Sequence, residues 1–196
     1  MRIISGRSRG RKLLTPKEIR GKEPLIRPTS DRAREALFNI IGPQIVGAKI
    51  LDLFAGTGAF GLEALSRGAV QAVFVDDSQY ACSLIAENCQ LCHEEEGVYI
   101  LRRNLLKSPT FLKKMAEDRP FDLIFMDPPY GKGFIRNLLY FFGKTASILT
   151  DHGMLIVEEV YDADLPRESQ GLILQDCRTY GKTGFWFYQK GLEENE

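Results

Sequence analysis

The sequence predicts an α/β fold, a mostly parallel sheet with helices on both faces. Three observations predict it. From residue 49 to residue 158, strand-like apolar runs alternate with helix-periodic stretches, the order that parallel crossovers require. A glycine turn, Gly56-Thr57-Gly58, joins the first of these strands directly to a helix pattern. Past Gly171 the alternation stops, and two strand-like runs follow one another as an antiparallel hairpin would.

In chain order, residues 1–4 start a short apolar strand, residues 5–10 make a Gly/Ser turn, and residues 11–14 return as the second strand of a small N-terminal β-hairpin. Arg and Lys alternate with glycine here, which suits a flexible clamp on phosphates. Residues 15–25, with Pro16, Gly21 and Pro24, read as a linker. Pro28 blocks helix behind it, and Thr29, Ser30 or Asp31 caps a helix whose apolar stripe is Ala33, Leu37 and Ile40 or Ile41. Arg32, Arg34 and Glu35 fall on its polar side, and Gly42-Pro43 ends it. Strands are expected at residues 50–54, 72–76, 98–102, 121–127, 154–158, 172–180 and 183–189. Helices are expected at 60–67, 78–92, 105–116 and 134–149, with Pro109 confining the start of the third. The chain then divides into a basic arm over 1–26, a main domain over 27–191 and an acidic tail over 192–196.

Hydrophobic residues make up 44% and charged residues 27%, the balance of a soluble globular domain. No apolar run reaches the roughly 18 residues of a membrane span. The N-terminus carries no apolar signal core, so a cytoplasmic address is expected, and a monomer. Net charge is zero but lopsided: residues 1–34 hold eleven Lys/Arg against three acidic residues, leaving the head at +8 and the body at −8. That asymmetry points to a polyanion-binding arm on an acidic body. Cys89-Gln-Leu-Cys92-His93 spells a haem-attachment pattern, which requires export. Cys82, Cys89 and Cys92 instead recur at helical spacing and are expected to be reduced thiols on a buried face. No metal is implied.

Two stretches carry chemistry. In the first, Gly56, Gly58 and Gly61 match G-x-G-x-x-G, with Asp76 about twenty residues on. Backbone amides and a helix N-terminus face one space there. Asp52 beside that loop would repel a pyrophosphate and suits a ligand with an ammonium group. S-adenosylmethionine carries that ammonium, a sulfonium, and a ribose whose hydroxyls Asp76 can hold. A dinucleotide site and a plain strand-to-helix turn are the alternatives. The second stretch is Asp127-Pro128-Pro129-Tyr130, at the carboxyl end of a buried strand, where open parallel sheets bind ligands. Two prolines stiffen the turn and remove two donors. Asp127 and the Pro128 carbonyl then accept the hydrogens of an exocyclic amine on a flat base, while Tyr130 stacks on the ring. Held this way, the amine directs its lone pair at a methyl donor.

Asp127-Pro-Pro-Tyr130 resembles the motif of class I methyltransferases that act on exocyclic amines of nucleic-acid bases. Nearly the whole chain is similar to the RsmD-like family of 16S ribosomal RNA guanine-N2 methyltransferases. The matching stretches are Arg2-Ile-Ile-Ser-Gly-Arg7, Arg9-Gly-Arg-Lys-Leu13, Arg27-Pro-Thr-Ser-Asp-Arg32, Asp52-Leu-Phe-Ala-Gly-Thr-Gly58, Leu62-Glu-Ala-Leu-Ser-Arg-Gly68, Asp127-Pro-Pro-Tyr-Gly131 and Tyr180-Gly-Lys-Thr183. The resemblance implies a Rossmann-like methyltransferase fold, a seven-stranded, mostly parallel sheet with an antiparallel C-terminal strand and the N-terminal hairpin. It implies methyl transfer from S-adenosylmethionine, leaving S-adenosylhomocysteine, to the 2-amino group of a guanine in 16S rRNA, within a small-subunit particle. Phe54, Ala55 and Leu105 join Asp52, Gly56, Gly58, Asp76, Asn104 and Asp127 as cofactor residues. Arg7, Arg9, Arg11, Lys12, Arg27 and Arg32 are expected to contact RNA. Relatives often carry Glu in place of Asp76, and many class I enzymes carry Asp in place of Asn104, whose carbonyl is expected to accept from the adenine amine. Phe185-Trp186-Phe187 is bulkier than the usual end of the family. The competing functions are an adenine-N6 methyltransferase on DNA or RNA, an rRNA-binding assembly factor without catalysis, and an NAD enzyme, the last disfavoured by Asp52.

Overall fold

All seven expected strands form within the residues that the computed structural model describes, which are 1–16, 31–129 and 133–191. The chain divides into two units, Met1–Arg103 and Asn104–Glu196.

In the first unit, helix α1 (Asp31–Ile41) leads into β1 (Lys49–Leu53), α2 (Ala59–Ser66), β2 (Gln71–Asp76), α3 (Gln79–Cys92) and β3 (Val98–Arg102). The strands run parallel in the order β3-β2-β1, with Ile50 opposite Ala72 and Phe74 opposite Ile100. All five residues of β1 are buried, as continuous apolar runs in parallel sheets are. Every residue of α2 is buried too, including Glu63. Ser78 caps α3 by accepting from the N–H of Ala81 at 3.3 Å, and Cys82, Cys89 and Cys92 are buried free thiols as the spacing predicts. Burial pushes the Cys89 thiol up to about 12 and the Cys92 thiol up to about 11, so both stay protonated and inert.

Two expectations in this unit need correction. Arg34 is not on an exposed polar face. It stands beside Ala33 on the stripe with Leu37, Phe38 and Ile41 and is 2% exposed. Its Nη2 donates to the Arg2 carbonyl and to Asp31, which anchors the guanidinium, and burial lowers its pKa. The N-terminal segment is not a flexible clamp. It makes one antiparallel bridge, Arg2 with Lys12, flanked by Ile3 N–H donating to the Arg11 carbonyl at 2.9 Å. Ile3 and Leu13 are buried. Gly6, at φ +82°, lies so close to α2 that a Cβ would sit 1.8 Å from the Ser66 carbonyl oxygen. The Glu63 carboxylate accepts from the N–H groups of Ile4 at 2.7 Å and Ser5 at 3.0 Å.

The second unit holds α4 (Phe111–Met115), β4 (Phe121–Met126), α5 (Phe134–Lys144), β5 (Leu149–Val160), β6 (Glu168–Ser169), β7 (Leu172–Tyr180) and β8 (Thr183–Lys190). Its strand order is β4-β5-β8-β7-β6; β4 and β5 are parallel, and the other neighbours are antiparallel. Among the described residues there are eight strands rather than seven, because Glu168 and Ser169 pair with Ile173 and Leu172. Helix α4 is less than half its expected length. Asn104 takes the Leu106 and Lys107 N–H groups into a turn, and Pro109 then brings no donor. Helix α5 stops at Lys144, and Gly143 in its last turn packs on the chain at Ser169, where a Cβ would fall 2.2 Å from a carbonyl oxygen. The chain can then begin β5 at Leu149, five residues before the expected start. The aromatic run Phe185-Trp186-Phe187 acquires a reason here. It lies in β8, hydrogen-bonded on both edges by β5 and β7, and all three side chains are buried. Among the described residues no helix is long and apolar enough to cross a membrane.

Candidate active site

Strand β1 ends at Leu53, and Phe54 enters the left-handed region at φ +59°, a strained conformation for a residue with a Cβ. Gly56 at φ +55° and Gly58 at φ +75° complete the turn, closed by the Gly58 N–H on the Ala55 carbonyl at 2.7 Å. Gly58 is also the N-cap of α2. Gly61 serves packing instead. A Cβ there would meet the Phe74 ring at 2.3 Å, so this glycine lets the helix lie on β2. Asp76, half-buried at the end of β2, accepts the Gly56 N–H at 3.0 Å and the Ser78 N–H at 2.9 Å. Asp52 is 2% exposed and accepts the Gly61 N–H at 3.0 Å. Loss of solvent is the main cause that pushes its carboxyl up to about 8. The Gly61 hydrogen bond opposes this, and the Asp76 charge adds to it.

In the second unit, β4 delivers Asp127 half-buried, Pro128 buried and Pro129 exposed at its carboxyl end; Tyr130 lies outside the described residues. Leu105 is buried. The Asn104 carbonyl, expected to receive an adenine amine, accepts the Leu106 and Lys107 N–H groups, each at 3.0 Å. Both its lone pairs are engaged in holding that turn.

The basic residues separate by partner. Arg7 Nε meets both oxygens of the Glu94 carboxylate, at 2.8 and 2.9 Å, and its Nη2 bonds the same group. Glu94 is 1% exposed and also accepts from the Ser8 hydroxyl at 2.8 Å, so Arg7 neutralises a buried charge. Arg11 donates to the Leu91 carbonyl at 3.1 Å. Arg9 and Lys12 are exposed, and among the described residues their side chains have no partner. Arg32 is exposed on the first turn of α1, and Arg27 lies outside the described residues. Sequence reasoning missed Glu63, Glu94 and Asn88, buried polar groups that grip the N-terminal segment. A lone charge in the apolar stretch Ala59-Phe-Gly-Leu-Glu-Ala-Leu was the visible signal for Glu63; Glu94 and Asn88 left none.

A family model described as Conserved hypothetical protein 95 matches residues 1–189. The chain is 34% identical over 190 residues to YlbH of Bacillus subtilis (strain 168), covering 97% of this chain and 99% of that one. It is 32% identical over 190 residues to Ribosomal RNA small subunit methyltransferase D of Escherichia coli (strain K12), covering 97% and 90%. The solved structure of yhhF from Escherichia coli superposes with a TM-score of 0.80 at 30% identity, covering 98% of this chain and 99% of that one.

Proposed function

The chain belongs to the Conserved hypothetical protein 95 family, and we propose that it transfers a methyl group from S-adenosylmethionine to the N2 amine of a guanine in small-subunit ribosomal RNA. The observation that carries the choice of an amine substrate is the Asp127-Pro128-Pro129 turn at the carboxyl end of β4. In this reading Asp52, Asp76 and the glycine loop hold the methyl donor, and Asp127 with the Pro128 carbonyl holds the acceptor.

The donor set suits the cofactor. Asp52 is buried near the Asp76 charge, an arrangement that a cation relieves and a pyrophosphate aggravates. Asp52 would face the methionine ammonium and Asp76 the ribose hydroxyls, with Phe54, Ala55, Gly56 and Gly58 shaping the loop between them. S-adenosylmethionine supplies a methyl on a sulfonium whose thioether departs without protonation. What the protein must supply is therefore positioning. Asp127 and the Pro128 carbonyl accept the two amine hydrogens, set the direction of the nitrogen lone pair, and exclude rotation of the base. The N2 proton displaced by methylation passes to the Asp127 carboxylate and then to solvent.

RNA as the substrate class is supported by Arg9 and Lys12, exposed on the N-terminal turn. The reading extends to a small-subunit particle as the substrate form and to a cytoplasmic monomer. Mass spectrometry of rRNA nucleosides from cells with and without the gene tests it: one N2-methylguanosine of 16S rRNA should be lost. Loss of N6-methyladenine instead, or no change, overturns it. Methylation of naked 16S rRNA at the rate seen with particles would remove the particle from the reading.

A further inference from the structure

We infer that Asn88 is a positioning residue that joins the basic N-terminal turn to the glycine loop, so that RNA held by the turn tightens the cofactor held by the loop. The inference rests on the proposed function, in which Arg9 and Lys12 meet RNA and Gly56-Thr57-Gly58 meets S-adenosylmethionine.

Asn88 stands on α3 and is fully buried. Its Oδ1 accepts the Leu14 N–H at 2.7 Å, and its Nδ2 donates to the Leu14 carbonyl at 3.1 Å and to the Thr57 carbonyl at 2.9 Å. The amide thus brackets the Leu14 backbone as a neighbouring strand would, and uses its remaining hydrogen on the middle residue of the glycine loop. Both Nδ2 donors are engaged. A second contact runs between the same two segments: the Thr57 hydroxyl meets Met1 Sδ at 3.4 Å. Each end of the N-terminal turn therefore reaches Thr57, Met1 directly and Leu14 through Asn88. Lys12 lies two residues before Leu14 and closes the bridge with Arg2.

Filling a core position does not require an amide with three backbone partners. If the turn lifts, the Leu14 N–H and carbonyl and the Asn88 amide lose partners together, and a displaced Asn88 leaves the Thr57 carbonyl without its donor. The docked turn and the ordered loop are consequently favoured together. A polyanion that holds the turn down stabilises the loop, and a cofactor that orders the loop holds the turn; linkage makes the two effects equal in size.

Titration calorimetry tests this with S-adenosylhomocysteine, which has no methyl to transfer, and 16S rRNA transcribed in vitro. In the wild type, saturating RNA should tighten S-adenosylhomocysteine by about fivefold or more, and the nucleoside should tighten RNA by the same factor. Asn88→Asp keeps the acceptor for Leu14 and loses both donations, so each ligand should still bind alone while the coupling factor falls towards one. Independent binding in the wild type overturns the inference, as does undiminished coupling in Asn88→Asp. The paired substitution Arg9→Gln with Lys12→Gln reports separately on the underlying reading: weaker RNA binding upholds it, and unchanged RNA binding overturns both. Should Asn88→Asp not fold, hydrogen exchange in the wild type decides. RNA alone should slow exchange at Gly56, Thr57, Gly58 and Leu14, and unchanged exchange in the loop overturns the inference.

Discussion

Burial alters the chemistry of Asp52 strongly. Folded, it keeps its proton up to about pH 8, whereas an unfolded chain releases it near about pH 4. Between those values the folded state binds the extra proton, so the contribution of Asp52 is fully present below about pH 4 and is lost as pH rises through about 8. Asp52→Asn should flatten that part of the pH dependence in urea unfolding of the cofactor-free protein; a curve that keeps its wild-type slope would assign the effect elsewhere. Asp127→Ala should abolish methyl transfer while leaving the fold in place and weakening cofactor binding only somewhat. Loss of one such hydrogen bond costs about 1–3 kcal/mol, and a misdirected amine adds to it. Near-normal turnover would remove Asp127 from the mechanism. Asp52, Asp76 and Asp127 were legible in the sequence because each sits at or near the end of an apolar strand, where ligand sites form. The fates of Arg7 and Arg34 were not. Arg7 meets a carboxylate 87 residues away, and Arg34 bonds the carbonyl of Arg2, 32 residues away; no local pattern encodes either.

Among the elements, α2 and the N-terminal turn show how far periodicity reaches. Helix α2 was expected from its glycine turn and apolar run, and it starts one residue early, at Ala59. The reason for Gly61 lay on β2, in the Phe74 ring. Gly61→Ala should overpack that contact and destabilise the protein by about 1–3 kcal/mol, measured by chemical denaturation. Wild-type stability would mean the ring yields without strain. In the N-terminal turn the cations divide into two kinds. Arg7→Gln takes the guanidinium partner from the buried Glu94; because Arg7 itself is largely exposed, the loss should cost about 1–3 kcal/mol of stability. Arg9→Gln with Lys12→Gln should leave the melting temperature unchanged and flatten the log–log salt dependence of RNA binding by about 0.7–0.9 per contact removed. An unchanged slope would make these two residues a solvated surface. The shortfall in α4 has a local cause. Residues 105–116 are helix-compatible, but a side chain, Asn104, captures the first backbone donors.

For the whole molecule, the N-terminal turn is part of the first unit and not an appendage. Deleting residues 1–14 uncovers Glu63, Glu94 and Asn88 at once and removes Ile3 and Leu13 from the core. The truncated chain should lose about 3 kcal/mol or more, a fall of about 6–12 °C in Tm by calorimetry. An unshifted Tm would restore the simpler picture of a substrate anchor that can be cut away. The sequence by itself determined the fold class, the order of the strands along the chain, the glycine loop, and the carboxylates that end strands β2 and β4. Those follow from signals written within a few residues: a period of two or 3.6, a glycine where φ must be positive, a proline where no donor is wanted. Only the tertiary structure decided which arginines are paired with a carboxylate or a backbone carbonyl, why β8 is aromatic, and that one asparagine ties the N-terminal turn to the glycine loop. Each of those depends on partners brought together from distant parts of the chain, and burial sets both the charge a carboxylate carries and the partners a guanidinium must find.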